Sequence, residues 1–113
     1  MEADEILDEL IGCLKASDPY KIILFGSYAD GKASEDSDMD IMVVLDNNNI
    51  AKTYGERMAK KLYIRKLVRN INYKMALDIL VYSKAELKMM KDYGNFFIDE
   101  IEKTGKIIYE KVG

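Results

Sequence analysis

Histidine is absent from the 113 residues. Its absence removes Ser-His-Asp and Cys-His machinery and every histidine-ligated zinc site. There is one cysteine, so no disulfide forms within the chain and no thiolate cluster can hold zinc. That pattern suits a reducing, cytoplasmic setting. Cys13 lies among Leu10, Ile11 and Leu14 and reads as a small core residue, because nothing nearby can activate it as a nucleophile. The single proline, Pro19, falls in the break Ser17-Asp18-Pro19. No apolar run approaches the length of a membrane span, and the acidic, helix-patterned start does not resemble a signal peptide. No membrane partner is expected. If the chain is an enzyme, its polar chemistry must come from carboxylates, hydroxyls, lysines, arginines and a bound metal.

What is present is a high content of both apolar and charged residues. Hydrophobic residues make up 49%, enough for one packed core, so a single domain over residues 1–113 is the expectation. Charged residues make up 33% and are mixed in sign, for a net charge of −3. The mixture hides an asymmetry. Residues 51–75 carry Lys52, Arg57, Lys60, Lys61, Arg65, Lys66, Arg69 and Lys74 against the single acid Glu56. The remainder of the chain is strongly acidic. A solvated amphipathic face is the plainest reading of the basic segment. A field that attracts a triphosphate, or a docking surface, is the alternative.

Apolar spacing predicts the elements. Ile6, Leu7, Leu10, Ile11 and Leu14 share one face of a helix over residues 3–16. Residues 21–25 read as a buried strand ended by Gly26-Ser27, with one helical turn over 28–31 and a polar loop over 32–37. Residues 38–45 read as a second strand, whose alternation places Asp38 and Asp40 on one face and Met39, Ile41 and Val43 on the other. A long helix is expected over about 50–71, with Met58, Leu62, Leu67 and Ile71 as its apolar stripe. Residues 76–82 form a third strand carrying Asp78. Ser83-Lys84-Ala85-Glu86 matches a capping box. Asn95 caps a last helix expected to bury Phe96, Phe97 and Ile101, Gly105 ends it, and residues 107–109 suit an edge strand. The fold class is α/β or α+β, with helices packed against a small mixed sheet.

The acids carry the chemistry. A lone charge in a buried strand costs several kcal/mol unless it is paired or binds a metal. Asp38, Asp40 and Asp78 all fall in expected strands. If the strands are adjacent, three carboxylates converge, and an oxygen-only donor set favours Mg²⁺ or Mn²⁺. Gly26-Ser27 follows a strand directly, where glycine admits close backbone approach and serine offers a hydroxyl beside the amides of the next turn. A phosphate cradle next to a metal triad is what phosphoryl transfer requires. Taken singly, each feature has a plain reading: solvated acids at a strand end, an outward edge acid, an ordinary turn. Their spacing is what argues otherwise.

Gly26-Ser27, ten residues, Asp38-Met39-Asp40 and a later Asp78 resemble the DNA polymerase β-type nucleotidyltransferase superfamily, whose palm-like fold the chain would share. Four such positions arise by chance in roughly one chain of this length per thousand. The run from Gly26 to Gly31 and the ending Gly105-Lys106-Ile107-Ile108-Tyr109-Glu110 are most similar to its minimal branch, which includes the MNT antitoxins paired with HEPN-domain toxins. One departure is Asp30, where many relatives carry a basic residue. The resemblance implies that Asp38 and Asp40 bridge two Mg²⁺ ions, that Asp78 completes the site and orients an acceptor hydroxyl, and that Gly26 and Ser27 hold the β- and γ-phosphates. It further implies AMP transfer from ATP to a tyrosine hydroxyl of a HEPN-type toxin. A catalytically weak binding module of the same fold and an aminoglycoside-type transferase are the alternatives. A nucleic-acid partner ranks lowest, and homo-oligomerisation stays open. Tyr20, Tyr28 and Tyr82 are expected near the site, any one of them able to stack on a base.

Overall fold

A computed structural model describes residues 3–34 and 36–112. Met1, Glu2, Glu35 of the polar loop and Gly113 lie outside the described residues. The elements run α1 (Ala3–Leu14), a 3-10 turn (Lys15–Ser17), β1 (Pro19–Phe25), α2 (Ser27–Asp30), β2 (Met39–Leu45), α3 (Tyr54–Leu67), α4 (Arg69–Asn72), β3 (Leu77–Ser83), α5 (Lys84–Asp92), α6 (Phe96–Thr104) and β4 (Lys106–Glu110). They match the expected order, with helices on a mixed four-stranded sheet ordered β3-β2-β1-β4.

β1 pairs antiparallel with β2 and with β4, whereas β2 pairs parallel with β3. A parallel neighbour demands a crossover, and α3 with α4 makes it. Strand alternation then divides the core in two. Ile22, Leu24, Met39, Ile41, Val43 and Ile79 face Ile6, Leu10 and Leu14 of α1 together with Ile64, Val68 and Ile71. Ile23, Met42 and Val44 face the other way, onto Ile98 and Ile101 of α6 and the half-buried Leu87 and Met90 of α5. Each fully buried Leu or Ile contributes about 1.5–3 kcal/mol. The strand alternation and the apolar face of α1 were visible in the sequence.

Three expectations need correction. The helix expected over 50–71 begins later, at Tyr54 behind the N-cap Thr53, and is interrupted at Val68. Thr53 and Glu56 form a capping box, and local capping outweighs the apolar residues upstream. The buried stripe is Ile64, Val68 and Ile71, not Leu62, which is 56% exposed. In α6 the core takes Ile98 and Ile101, leaving Phe96 and Phe97 exposed. Asn95 fixes this rotation, because its side chain accepts from the amide of Ile98 and sets where the helix starts. Among the described residues, no helix is long and apolar enough to cross a membrane.

Candidate active site

Asp40 and Asp78 lie side by side at one end of one sheet face, and Asp38 stands just ahead of them in the chain. Asp40 is the register partner of Asp78 across the parallel β2–β3 pair. Partners in such a pair project to the same side, on strands about 4.8 Å apart. Asp40 shares its face with Met42 and Val44, and Asp78 shares its face with Leu80 and Tyr82, so both acids lie on the α5–α6 side. Asp38 precedes β2 by one residue and alternates onto that side with Asp40. Asp38 and Asp78 are exposed, whereas Asp40 is half-buried.

The surroundings of Asp40 act on its charge. Burial pushes the Asp40 carboxyl above its ordinary range, and the charges of Asp78 and Asp38 push it further the same way. Among the described residues, no three acidic or thiol side chains are drawn together tightly enough to form a ready-made metal shell.

Gly26 builds the other wall. It follows Phe25, which pairs with Asp40, and adopts φ 74°, ψ −153°, a region essentially reserved for glycine. A Cβ added there would stand 2.1 Å from Asp40 Oδ2. The strand-end glycine thus serves two needs, a backbone angle and contact with a carboxylate. The amides of Ala29 and Asp30 bond back to the Gly26 carbonyl at 3.1 Å and close the α2 turn. Ser27 opens that turn, whose first amides have no partner inside it.

Of the three tyrosines expected at the site, Tyr20 and Tyr82 are not there. Tyr82 pairs with Val44, four residues along β3 from Asp78, or about 13 Å at strand rise. Tyr20 lies at the same far end, where the ammonium of Lys84 sits 4.6 Å from its ring centre. Strand membership alone did not say which end of a strand faces the acids. Tyr28 is close in sequence to Ser27, but its hydroxyl donates to Met75 Sδ at 3.4 Å and its ring packs on the α1-side core.

The aromatic flank of the site is Phe25, against whose ring Phe97 stands edge-on at 6.1 Å. Sequence reasoning placed Phe97 in the core. The i, i+3 pair Ile98 and Ile101 was the available signal that Phe97 sits at the rim. Of the basic segment, Lys60 pairs with Glu86 and Lys74 with Glu9. Cys13 is half-buried against the core with a free thiol.

Comparison with known proteins identifies the family. A putative protein adenylyltransferase of Methanocaldococcus jannaschii is 43% identical over 70 residues, covering 59% of this chain and 67% of its own length. In fold, the chain is similar to one from a crystallised toxin–antitoxin complex with AMP-PNP, at TM-score 0.55 and 18% identity, covering 93% of this chain and 73% of the other. It is similar also to a putative nucleotidyltransferase from Sulfolobus solfataricus, at TM-score 0.52 and 19% identity, covering 96% of this chain and 78% of the other. The family model described as polymerase beta, nucleotidyltransferase, matches residues 8–112. The chain belongs to the polymerase β-type nucleotidyltransferase family.

Proposed function

We propose that this nucleotidyltransferase moves AMP from ATP onto a side-chain hydroxyl of a partner protein, using Mg²⁺, and that the partner is the HEPN-type toxin of a toxin–antitoxin pair. One observation carries the reading: Asp40 and Asp78 share a register position and a face, with Gly26 pressed against Asp40. The archaeal relative is named for protein adenylylation, and a structural neighbour comes from a toxin–antitoxin complex with AMP-PNP. Both favour this donor and this class of partner.

The donor set fits a hard divalent cation, since it is all oxygen and its central carboxyl is pushed above its ordinary range by burial and then by the charges of its neighbours. Asp38 and Asp40 would hold the metal, with Asp78 completing the set. Mg²⁺ or Mn²⁺ bound there would neutralise charge on the polyphosphate as the α-phosphorus is attacked. The chain's own groups do the rest. The Ser27 hydroxyl donates to β- or γ-phosphate oxygens, and Gly26 lets the main chain approach them. Asp78 accepts the acceptor's O–H, orienting the oxygen and taking its proton as the new O–Pα bond forms and the bond to pyrophosphate breaks.

The test mixes the protein with Mg²⁺, each NTP in turn and the product of the adjacent gene, and reads intact mass. A gain of one AMP on the partner, with ATP and not with the Asp38→Asn/Asp40→Asn double variant, is expected. No gain with any NTP overturns the proposal. Full neutralisation of the partner by the double variant would assign the role to contact alone.

A further inference from the structure

β3 is an edge strand of the sheet. Alternate residues of such a strand turn N–H and C=O groups away from the sheet. Among the described residues no turn, loop or side chain bonds to the backbone of residues 79–82 from that side. Natural edges are blunted with charge, as β4 is by Lys106 and Glu110 at its ends. β3 carries its one charge, Asp78, near its start, followed by the buried Ile79 and the half-buried Leu80, Val81 and Tyr82.

These four residues floor a groove of about 390 Å³ between α3 and α5. Ile50, Tyr54 and Met89 stand exposed on its walls. Its charges are unbalanced. Glu86 is matched by Lys60, whereas Arg57 and Lys61 have no acidic partner among the described residues. The groove begins one residue beyond Asp78, so whatever lies along it runs to the acids.

We propose that the β3 edge receives an extended segment of the acceptor polypeptide as an added strand, apolar where it meets the groove and acidic opposite Arg57 and Lys61. This rests on the reading of Asp78 as the residue that meets the acceptor. Main-chain hydrogen bonds supply affinity, alternate side chains supply selectivity, and the added strand delivers its hydroxyl to Asp78. The apolar walls and two discrete cations fit a polypeptide better than a nucleic acid, which the acidic remainder of the chain would repel.

The probe is a short fluorescent peptide alternating valine with glutamate and carrying one tyrosine, measured by anisotropy without metal or nucleotide. The full chain is expected to bind it and to bind the lysine counterpart about tenfold more weakly. Arg57→Glu with Lys61→Glu should reverse that order with unchanged thermal unfolding. N-methylating one alternate set of peptide amides should abolish binding, while methylating the other set is tolerated. Equal binding of both peptides, tolerance of both methylated sets, or a dimeric chain that binds neither peptide overturns the proposal. The Asp38→Asn/Asp40→Asn variant should bind the peptide unchanged. Failed AMP transfer by the unsubstituted chain alongside intact peptide binding would refute the catalytic reading and leave the docking edge standing.

Discussion

Gly26 and Asp40 form the tightest pair of the candidate site, and each constrains the other. Gly26→Ala puts a methyl group 2.1 Å from Asp40 Oδ2 at φ 74°. It is expected to cost about 2–4 kcal/mol of stability, combining overpacking with backbone strain. In an Asp40→Ala background the clash largely disappears, and the cost should fall to the strain alone, about 1–2 kcal/mol. Urea unfolding of the four variants checks the coupling, and a simple sum would show that the two do not touch. Asp40 also carries an electrostatic penalty. Its folded pKa lies above its ordinary value, first through burial and then through Asp78 and Asp38. The associated stability is therefore full below the ordinary aspartate range and is lost as pH rises through the raised value. At neutral pH the ionised group strains the fold, so Asp40→Asn should raise the melting temperature in metal-free buffer. A lowered melting temperature would contradict this. The facing of Asp38 and Asp40 was readable because strand alternation has a period of two. The contact with Gly26 was not, because it depends on β1 and β2 being paired at that register.

Among the elements, α5 has the best-defined start. Ser83 is fully buried; its hydroxyl accepts from the Glu86 amide at 3.1 Å and donates to the Asn49 carbonyl at 2.5 Å. Ser83→Ala removes both bonds and should cost about 1–3 kcal/mol by thermal unfolding. Glu86 is the hub of this corner. Burial alone would push its carboxyl up, but the Lys60 ammonium and the amides of Ser83 and Ala51 outweigh that and hold it low. The stability it contributes is present above the ordinary glutamate range and is lost as pH falls through the lowered value. Glu86→Gln should therefore destabilise the protein at neutral pH and lose that deficit in acid, so the two unfolding curves converge as pH falls. Parallel curves would remove Glu86 from the account. The box Ser83-Lys84-Ala85-Glu86 was legible because capping is local. The reach of Glu86 to Lys60 and Ala51 was not, since both lie in a segment distant along the chain. The same division explains α3 and α4. Basic and apolar residues over 51–75 gave helix, but Val68 at φ −108° breaks it to bring Ile71 into the α1-side core, and only packing decides that.

For the whole molecule, charge is arranged by position more than by count. Lys111, beyond β4, bridges Asp18 before β1 and Asp46 after β2 at 2.8 and 2.7 Å. Its ammonium is pushed up by hydrogen bonds to those two acids. This clamp closes the end of the sheet opposite Asp38, Asp40 and Asp78, and that end also holds Tyr20 and Tyr82. One end is neutralised by protein cations, and the other carries Asp38, Asp40 and Asp78. Fold class, element order and family were legible because hydrophobic periods and the Gly26-Ser27 to Asp40 spacing are sequence properties. The end-to-end polarity, which removed Tyr20 and Tyr82 from the site, came only with strand direction.

The account depends on the carboxylates of Asp38, Asp40 and Asp78 gripping one hard cation beside Gly26. Anomalous scattering from crystals grown with Mn²⁺ and a non-hydrolysable ATP analogue tests it directly. Manganese density bracketed by those three side chains, with the analogue's phosphates against Ser27, is the predicted result. Manganese bound elsewhere on an intact fold, with Asp78 turned from Asp40, would contradict it.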